Sequence, residues 1–275
     1  MSPTIDSLTS PTLKHLRERW WNDEFTEFLA ETLRPRAGNR ILDVGCGEGL
    51  AEVSIGRLRL SQIRLVGVDL FVDKVIAARR ETASHNQRVA FAAADAARLP
   101  FRDGAFDSTY CVAVLQHVAD VETAVAEFTR VTRAGGRIVA VEPDNAARYT
   151  YSSVPSGAPA FDAASRVFEA VAPDQTQAPV GPRLAEQFVR HGVELVDVRV
   201  FPVTLTFLGA PPAAVWQERR RAMERLVADV DAESARTLAA DYLTRLARYE
   251  DEARAAGPAF VEIQNTLLFA TVGQK

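Results

Sequence analysis

Residues 40–49 read Arg-Ile-Leu-Asp-Val-Gly-Cys-Gly-Glu-Gly. A short apolar run, 41–44, enters three alternating glycines, and a helical pattern starts at Leu50. A strand that feeds a helix through such a turn is a nucleotide cradle. Without Cβ atoms the backbone turns sharply and approaches a ligand closely, and the helix N-terminus presents free N–H groups to it. A dinucleotide fingerprint requires Gly-x-Gly-x-x-Gly. Here the third glycine comes one residue early, and Asp43 sits inside the strand. A carboxylate there repels a pyrophosphate and suits a ligand with an ammonium group, which disfavours a nicotinamide-dependent oxidoreductase.

Two more apolar runs end in acids: 64–69 in Asp69, and 89–95 in Asp95, which is followed by Ala96 and Leu99-Pro100-Phe101. Taken singly, each Asp also suits a helix cap or a turn. Together, at the spacing of strand–helix units, they suit a ligand lying beyond the carboxyl ends of strands in an open α/β sheet, with an acid after the second strand placed for ribose hydroxyls. The pattern predicts strands at 41–45, 64–69, 89–94, 106–113 and 137–142, and helices at 50–60, 72–84 and 120–133. That alternation means a parallel sheet covered by helices.

Around this core, residues 11–33 repeat apolar side chains at helical spacing, and Pro35 and Gly38 stop them. Residues 1–37 therefore form an N-terminal helical segment, with the main domain at 38–275. Six prolines punctuate 143–182, with a short helix expected near 160–171; this reads as a lid over the crevice, or as a packed surface excursion. A helix at 182–191, a strand at 195–207, a helical cap insertion at 209–257 and a final strand at 260–272 complete the chain. Arg219-Arg220-Arg221, flanked by Glu218 and Glu224, reads as a solvated helix face.

Composition bounds the alternatives. With 275 residues, 47% of them hydrophobic, the chain holds one α/β domain with additions, and a net charge of −4 gives no global nucleic-acid footprint. Two cysteines, Cys46 and Cys111, argue against a disulfide framework and for a reducing, cytoplasmic setting. No apolar run is long enough for a membrane span. The four histidines, at 15, 85, 117 and 191, show no ligand spacing, so no metal is expected.

The stretches Ile41–Gly49, Val66–Asp69, Ala94–Phe101, Phe106–Val118 and the turn Arg133-Ala-Gly-Gly-Arg137 before a strand to Glu142 resemble the class I S-adenosylmethionine (SAM)-dependent methyltransferases, small-molecule type, over about residues 38–145. The departure is Ala134, where the family usually has Pro. The resemblance implies a Rossmann-like doubly wound sheet, mostly parallel, whose last strand is antiparallel. It implies SAM as cofactor and S-adenosylhomocysteine as product, with Gly45, Gly47 and Gly49 along the methionine part and Asp43 near its ammonium. Cys46 is a small loop filler among these cofactor-lining residues and not a nucleophile. Asp69 takes the ribose hydroxyls, Leu70 lies against the adenine, Asp95 and the Ala96 N–H meet the adenine edge, and the Cys111-Val112 backbone runs under the sulfonium. Arg19 or Trp20 reaches the methionine carboxylate.

Gln116-His117 follows the fourth strand, at the tip that faces the transferring methyl in this family. His117 there suits a general base for a hydroxyl, with Glu142 orienting it or sharing its proton; each also suits a packing role. Asn145, Tyr149 and Tyr151, with Gln116, are the candidate acceptor-pocket residues. The expected activity is metal-free O-methylation of a small-molecule acceptor by in-line displacement. The alternatives are a SAM-binding protein without transfer and an RNA or protein methyltransferase, the latter disfavoured by the acidic balance.

Overall fold

The structure, a computed structural model, describes residues 20–57, 63–85, 89–171, 179–228 and 233–275. Its seven strands form one sheet, β1 (Arg40–Val44), β2 (Arg64–Asp69), β3 (Val89–Ala93), β4 (Phe106–Val112), β5 (Thr132–Ser152), β6 (Glu194–Leu208) and β7 (Val261–Gln274), in the order β3-β2-β1-β4-β5-β7-β6. Strands β1 to β5 pair in parallel. The C-terminal end of β7 lies against the start of β5, where Gly135 N–H donates to the Lys275 carbonyl (2.6 Å) and Lys275 N–H to the Gly136 carbonyl (3.1 Å). The last strand therefore runs antiparallel, and the fold is the expected Rossmann-like one. Strand order reverses between β1 and β4, so the carboxyl ends of these two strands flank the topological switch point where ligands bind in open α/β sheets.

The eight α-helices of the described residues are α1 (Asp23–Leu33), α2 (Leu50–Arg57), α3 (Val72–Ser84), α4 (Val121–Val131), α5 (Gly157–Val171), α6 (Val180–Arg190), α7 (Ala213–Ala228) and α8 (Glu233–Ala256). The N-terminal helix expected from Pro11 falls partly outside the described residues, and α1 starts only at Asp23. The Asn22 side chain accepts from the Phe25 N–H at 2.9 Å and caps it there, while Arg34 ends it in the left-handed region. Asp120 caps α4 in the same way, through the Thr123 N–H.

The chain divides into two compact units. The sheet unit comprises Trp20–Asp144, Val180–Phe201 and Leu268–Lys275. Side chains alternate across a strand, and β1 shows the consequence. Leu42 and Val44 join a core with Phe128 and Val131 of α4 and Leu184 and Phe188 of α6. Asp43 faces the other way, in register with Gly67 and Tyr110 and toward Glu52 of α2. On α1, Phe25 and Phe28 pack their rings on Phe201, with centroids 5.4 and 4.9 Å away.

The second unit includes Asn145–Pro179 and Pro202–Leu267. The described part of 143–182 is not irregular: the short helix expected near 160–171 is α5 (Gly157–Val171). Strand β5 runs on through Pro143 to Ser152, since a proline's fixed φ is compatible with extended backbone. Helix α5 then buries Ala160, Ala163 and Val167 against Trp216, Met223 and Leu226 of α7 and Tyr242, Leu246 and Tyr249 of α8. The supposed lid and cap insertions thus share one apolar core.

Nor is Arg219-Arg220-Arg221 a uniformly solvated face. Arg219 forms a bidentate pair with Glu262, which is fully buried, and lies 4.7 Å from the Trp216 ring centroid. Glu262 also accepts from the Tyr249 hydroxyl at 2.7 Å and from Gln264. Arg220 binds Glu250; Arg221 alone of the three is exposed. Helical periodicity turns the first arginine inward, and an acid 43 residues away meets it. Removing one partner of a buried pair strands the other, at a cost of about 3–5 kcal/mol. Arg219→Met is therefore expected to destabilise the protein by that order in chemical denaturation, whereas Arg221→Met is expected to be near neutral.

Candidate active site

The glycine loop leaves β1 with Gly45, Gly47 and Gly49 all at positive φ (77, 54 and 85°). Each glycine has its own reason. A Cβ on Gly45 would lie 2.2 Å from the Val114 side chain, and one on Gly49 would press on the Ala78 backbone at 3.2 Å. Around Gly47 no atom of the described residues lies within 4 Å of that position, so among them the loop is open at its tip. The first and third glycines seat the loop on its neighbours; the second leaves its backbone accessible.

Asp69 ties this loop to the end of β2. One carboxylate oxygen accepts from the Gly47 N–H at 2.9 Å and the other from the Phe71 N–H at 3.0 Å. A carboxylate has about four lone-pair positions, so acceptor capacity is left for a diol. Leu70 beside it is 59% exposed, an apolar side chain turned to solvent. After β3, exposed Asp95 closes its own turn: a carboxylate oxygen accepts from the Ala97 N–H at 2.9 Å, and Ala96 is buried. Two residues of α4 hold this turn from behind. Glu127 accepts from the Leu99 N–H at 2.7 Å, and Arg130 donates to the Phe101 and Leu99 carbonyls at 2.7 and 3.0 Å. Neither was expected; a Glu and an Arg three apart on a helix look like an ordinary surface pair.

Asp43 is 3% exposed and lies beneath the loop. Burial pushes its carboxyl up to about 7, against hydrogen bonds from Tyr110 and Glu52 that pull it down, with the Asp69 charge adding to the rise. Glu52, wholly buried on α2, is pushed up by the same burial and by Asp43. Gly67 makes the room: a Cβ there would meet the Phe91 ring at 2.6 Å and a Glu52 carboxyl oxygen at 2.7 Å. The two acids face each other with Tyr110, and like charges at such range do not both ionise. Glu52 escaped the sequence reading because nothing in a helical pattern marks which carboxylate turns inward. Burial and the carboxylates of Asp43, Glu52 and Asp69 push the Cys46 thiol far up, so it stays protonated.

Glu142 ends the inner part of β5, fully buried. One carboxylate oxygen accepts from the Val114 and Leu115 N–H groups, both at 2.7 Å, and the other from the Gln116 N–H at 3.3 Å. These belong to the turn Leu115–His117 that follows β4. Glu142 thereby fixes the backbone of the turn that carries His117. Ala113, just before the turn, takes a left-handed φ of 57°, and its N–H donates to the Val141 carbonyl at 2.7 Å. No sequence signal announces a strained alanine there. Cys111 is buried and Val112 half-buried at the end of β4. Gln116 and His117 are half-buried, as is Trp20; Arg19 lies outside the described residues. Asn145, Tyr149 and Tyr151 belong to the second unit, and both tyrosines are exposed (58 and 45%). No group of three or more potential metal ligands occurs among the described residues, and no helix among them is long and apolar enough to cross a membrane.

The buried acids generate a pH dependence. An unfolded Asp titrates near ~3.9, and folding raises Asp43 to about 7. Its contribution to stability is then complete below the unfolded value and is lost as pH rises through about 7. Asp43→Asn is expected to flatten the pH dependence of unfolding free energy between pH ~5 and ~7.5, where wild type loses up to ~1.4 kcal/mol per pH unit relative to the variant. Denaturation at both pH values measures it; parallel slopes would show that Asp43 is ionised throughout.

Residues 42–140 match the family model described as Methyltransferase domain. The chain is similar to the O-methyltransferase cnsE of Penicillium expansum, 32% identical over 150 residues, 50% of this chain and 54% of that one. It is also similar to the 27-O-demethylrifamycin SV methyltransferase of Amycolatopsis mediterranei, 33% identical over 146 residues, 49% and 52% of the two chains. The chain spans about half the length of these curated relatives. A crystal structure titled as a putative methyltransferase from Bacillus halodurans shares the fold, with a TM-score of 0.59 at 18% identity over 92% of this chain and 99% of that one. Residues 42–140, which hold the glycine loop, the acid-ended strands and the switch point, are thus similar to a methyltransferase domain, on a fold that solved methyltransferase structures share.

Proposed function

We propose that the protein transfers a methyl group from SAM to a hydroxyl of a small-molecule acceptor, without a metal. The observation that carries this reading is the pair of loops at the switch point. The Gly47 loop, open at its tip and tied to Asp69, and the His117 turn, tied to Glu142, leave adjacent strands side by side. The names of the two curated relatives, both O-methyltransferases by description or reaction, support a hydroxyl acceptor.

The residues fit the cofactor. The uncovered backbone at Gly47 suits close approach of the methionine portion, the remaining lone pairs of Asp69 suit ribose hydroxyls, and the exposed Leu70 suits the face of a base. Asp95 and the Ala96 N–H would meet the base edge. Bound SAM supplies an activated methyl on a sulfonium, a good leaving group. What remains for the protein is orientation, which removes several kcal/mol of barrier, exclusion of water, and a place for the acceptor's proton. His117, at the tip of the β4 turn, is the candidate base at its imidazole. Glu142 fixes the backbone of the turn that carries the ring.

Two outcomes test this. Asp69→Ala is expected to weaken S-adenosylhomocysteine binding at least about tenfold, since each charge-assisted hydrogen bond contributes ~1.5–3 kcal/mol; calorimetric titration of the folded variant decides it, and unchanged affinity removes Asp69 from the site. His117→Ala is expected to lower turnover by ~10²–10⁴-fold with cofactor affinity retained, and to erase the acidic limb of the pH–rate curve. Wild-type turnover in that variant would make His117 structural and an amine or carbon acceptor the better reading.

A further inference from the structure

The edge of the sheet remote from the glycine loop, where β1, β4 and β5 begin, carries a cavity of about 200 Å³. A wide bulge opens it. Phe106 pairs with Thr132 and Ser108 with Arg137, so residues 133–136 loop out of the ladder, with Gly135 at a φ of 73°. A Cβ on Gly136 would meet the Asp107 carbonyl at 2.6 Å, so the bulge closes tightly on β4. Four arginines line the cavity, Arg34, Arg36, Arg133 and Arg137, against one carboxylate, Asp107.

That carboxylate is already engaged. One oxygen accepts from Arg133 Nε at 2.7 Å and the other from the Arg40 N–H at 2.8 Å. The Asn39 side-chain oxygen accepts from the Arg36 N–H at 2.8 Å. Arg137 is 7% exposed, and its buried Nη1 has no hydrogen-bond partner. The charges that act on it are Arg34, which repels it, and Glu194, which attracts it without forming an ion pair among those of the described residues. A buried guanidinium with an unused donor costs free energy that an acceptor would recover. Guanidinium forks match tetrahedral oxyanions in geometry, and several cations facing one spent carboxylate suit a dianion better than a monoanion.

We propose that this cavity is a second ligand site, separate from the methyl-transfer crevice, that binds a phosphoryl dianion, with Arg137 as its buried anchor and Arg34 and Arg36 at its mouth. Such a ligand joins the end of α1 to the starts of β4 and β5, so its binding stabilises the sheet unit by mass action.

Thermal unfolding at low ionic strength, with inorganic phosphate and glycerol 3-phosphate titrated in parallel against chloride of equal ionic strength, tests the proposal. A saturable rise in Tm is expected with phosphate, weakening as sodium chloride is added. Stronger saturation by the ester assigns the site to a metabolite's phosphoryl group; stronger saturation by phosphate assigns it to the free ion. Arg137→Met is expected to weaken the apparent affinity at least about tenfold and Arg36→Ala by severalfold, with circular dichroism unchanged. Should Arg137→Met not fold, Arg34→Ala and Arg36→Ala, both at exposed positions, carry the test. No saturable rise in wild type beyond the chloride control, or undiminished affinity in the arginine variants, overturns the site.

Discussion

A parallel strand ends with backbone N–H groups of the following loop that no ladder can satisfy, and in this protein carboxylates on neighbouring strands take them up. Asp69, at the end of β2, binds the Gly47 N–H of the loop after β1. Glu142, near the middle of β5, binds three consecutive N–H groups of the turn after β4. Hydrogen bonds to a charged acceptor are each worth ~1.5–3 kcal/mol, enough to hold a loop that has few other contacts. Both loops at the switch point are thereby fixed from the adjacent strand, and the site's geometry depends on the register that pairs β1 with β2 and β4 with β5.

The Glu142 carboxylate receives several backbone N–H groups, which hold it in place. Below the glycine loop the logic is reversed. Asp43, Glu52 and Tyr110 meet other acidic groups and no cation among the described residues, so burial favours protonation instead of pairing. In the second unit, Glu262 is buried as deeply as Glu52 but meets Arg219, Tyr249 and Gln264. Three buried glutamates thus resolve the cost of burial in three ways: backbone donors, a raised pKa, and an arginine.

The core α/β alternation was legible because it rests on local patterns. Apolar runs of strand length, glycines at 45, 47 and 49, and acids at 69 and 95 mark the strand ends wherever the chain goes next. The reading failed where the answer depended on a distant partner. A short helix near 160–171 was legible, but not that α5 folds onto α7 and α8, whose residues come some 50 to 90 positions later. Glu127 and Arg130 look like a helix-surface pair, and only the path of the chain brings Leu99 and Phe101 to them.

By itself, the sequence determined the order of strands and helices in the sheet unit, the position of the cofactor loop, and the class of ligand that loop can accept, because backbone conformation at glycine and alternation of apolar residues are near-neighbour effects. Tertiary structure alone decided which charged side chains face inward. Asp43 turns under the loop because β1 alternates and Leu42 claims the other face. Arg219 is buried because Glu262 arrives from another strand, and Arg137 because a bulge folds the start of β5 over it. Burying a charge is favourable or costly according to what lies opposite it, and no local pattern in the chain specifies that.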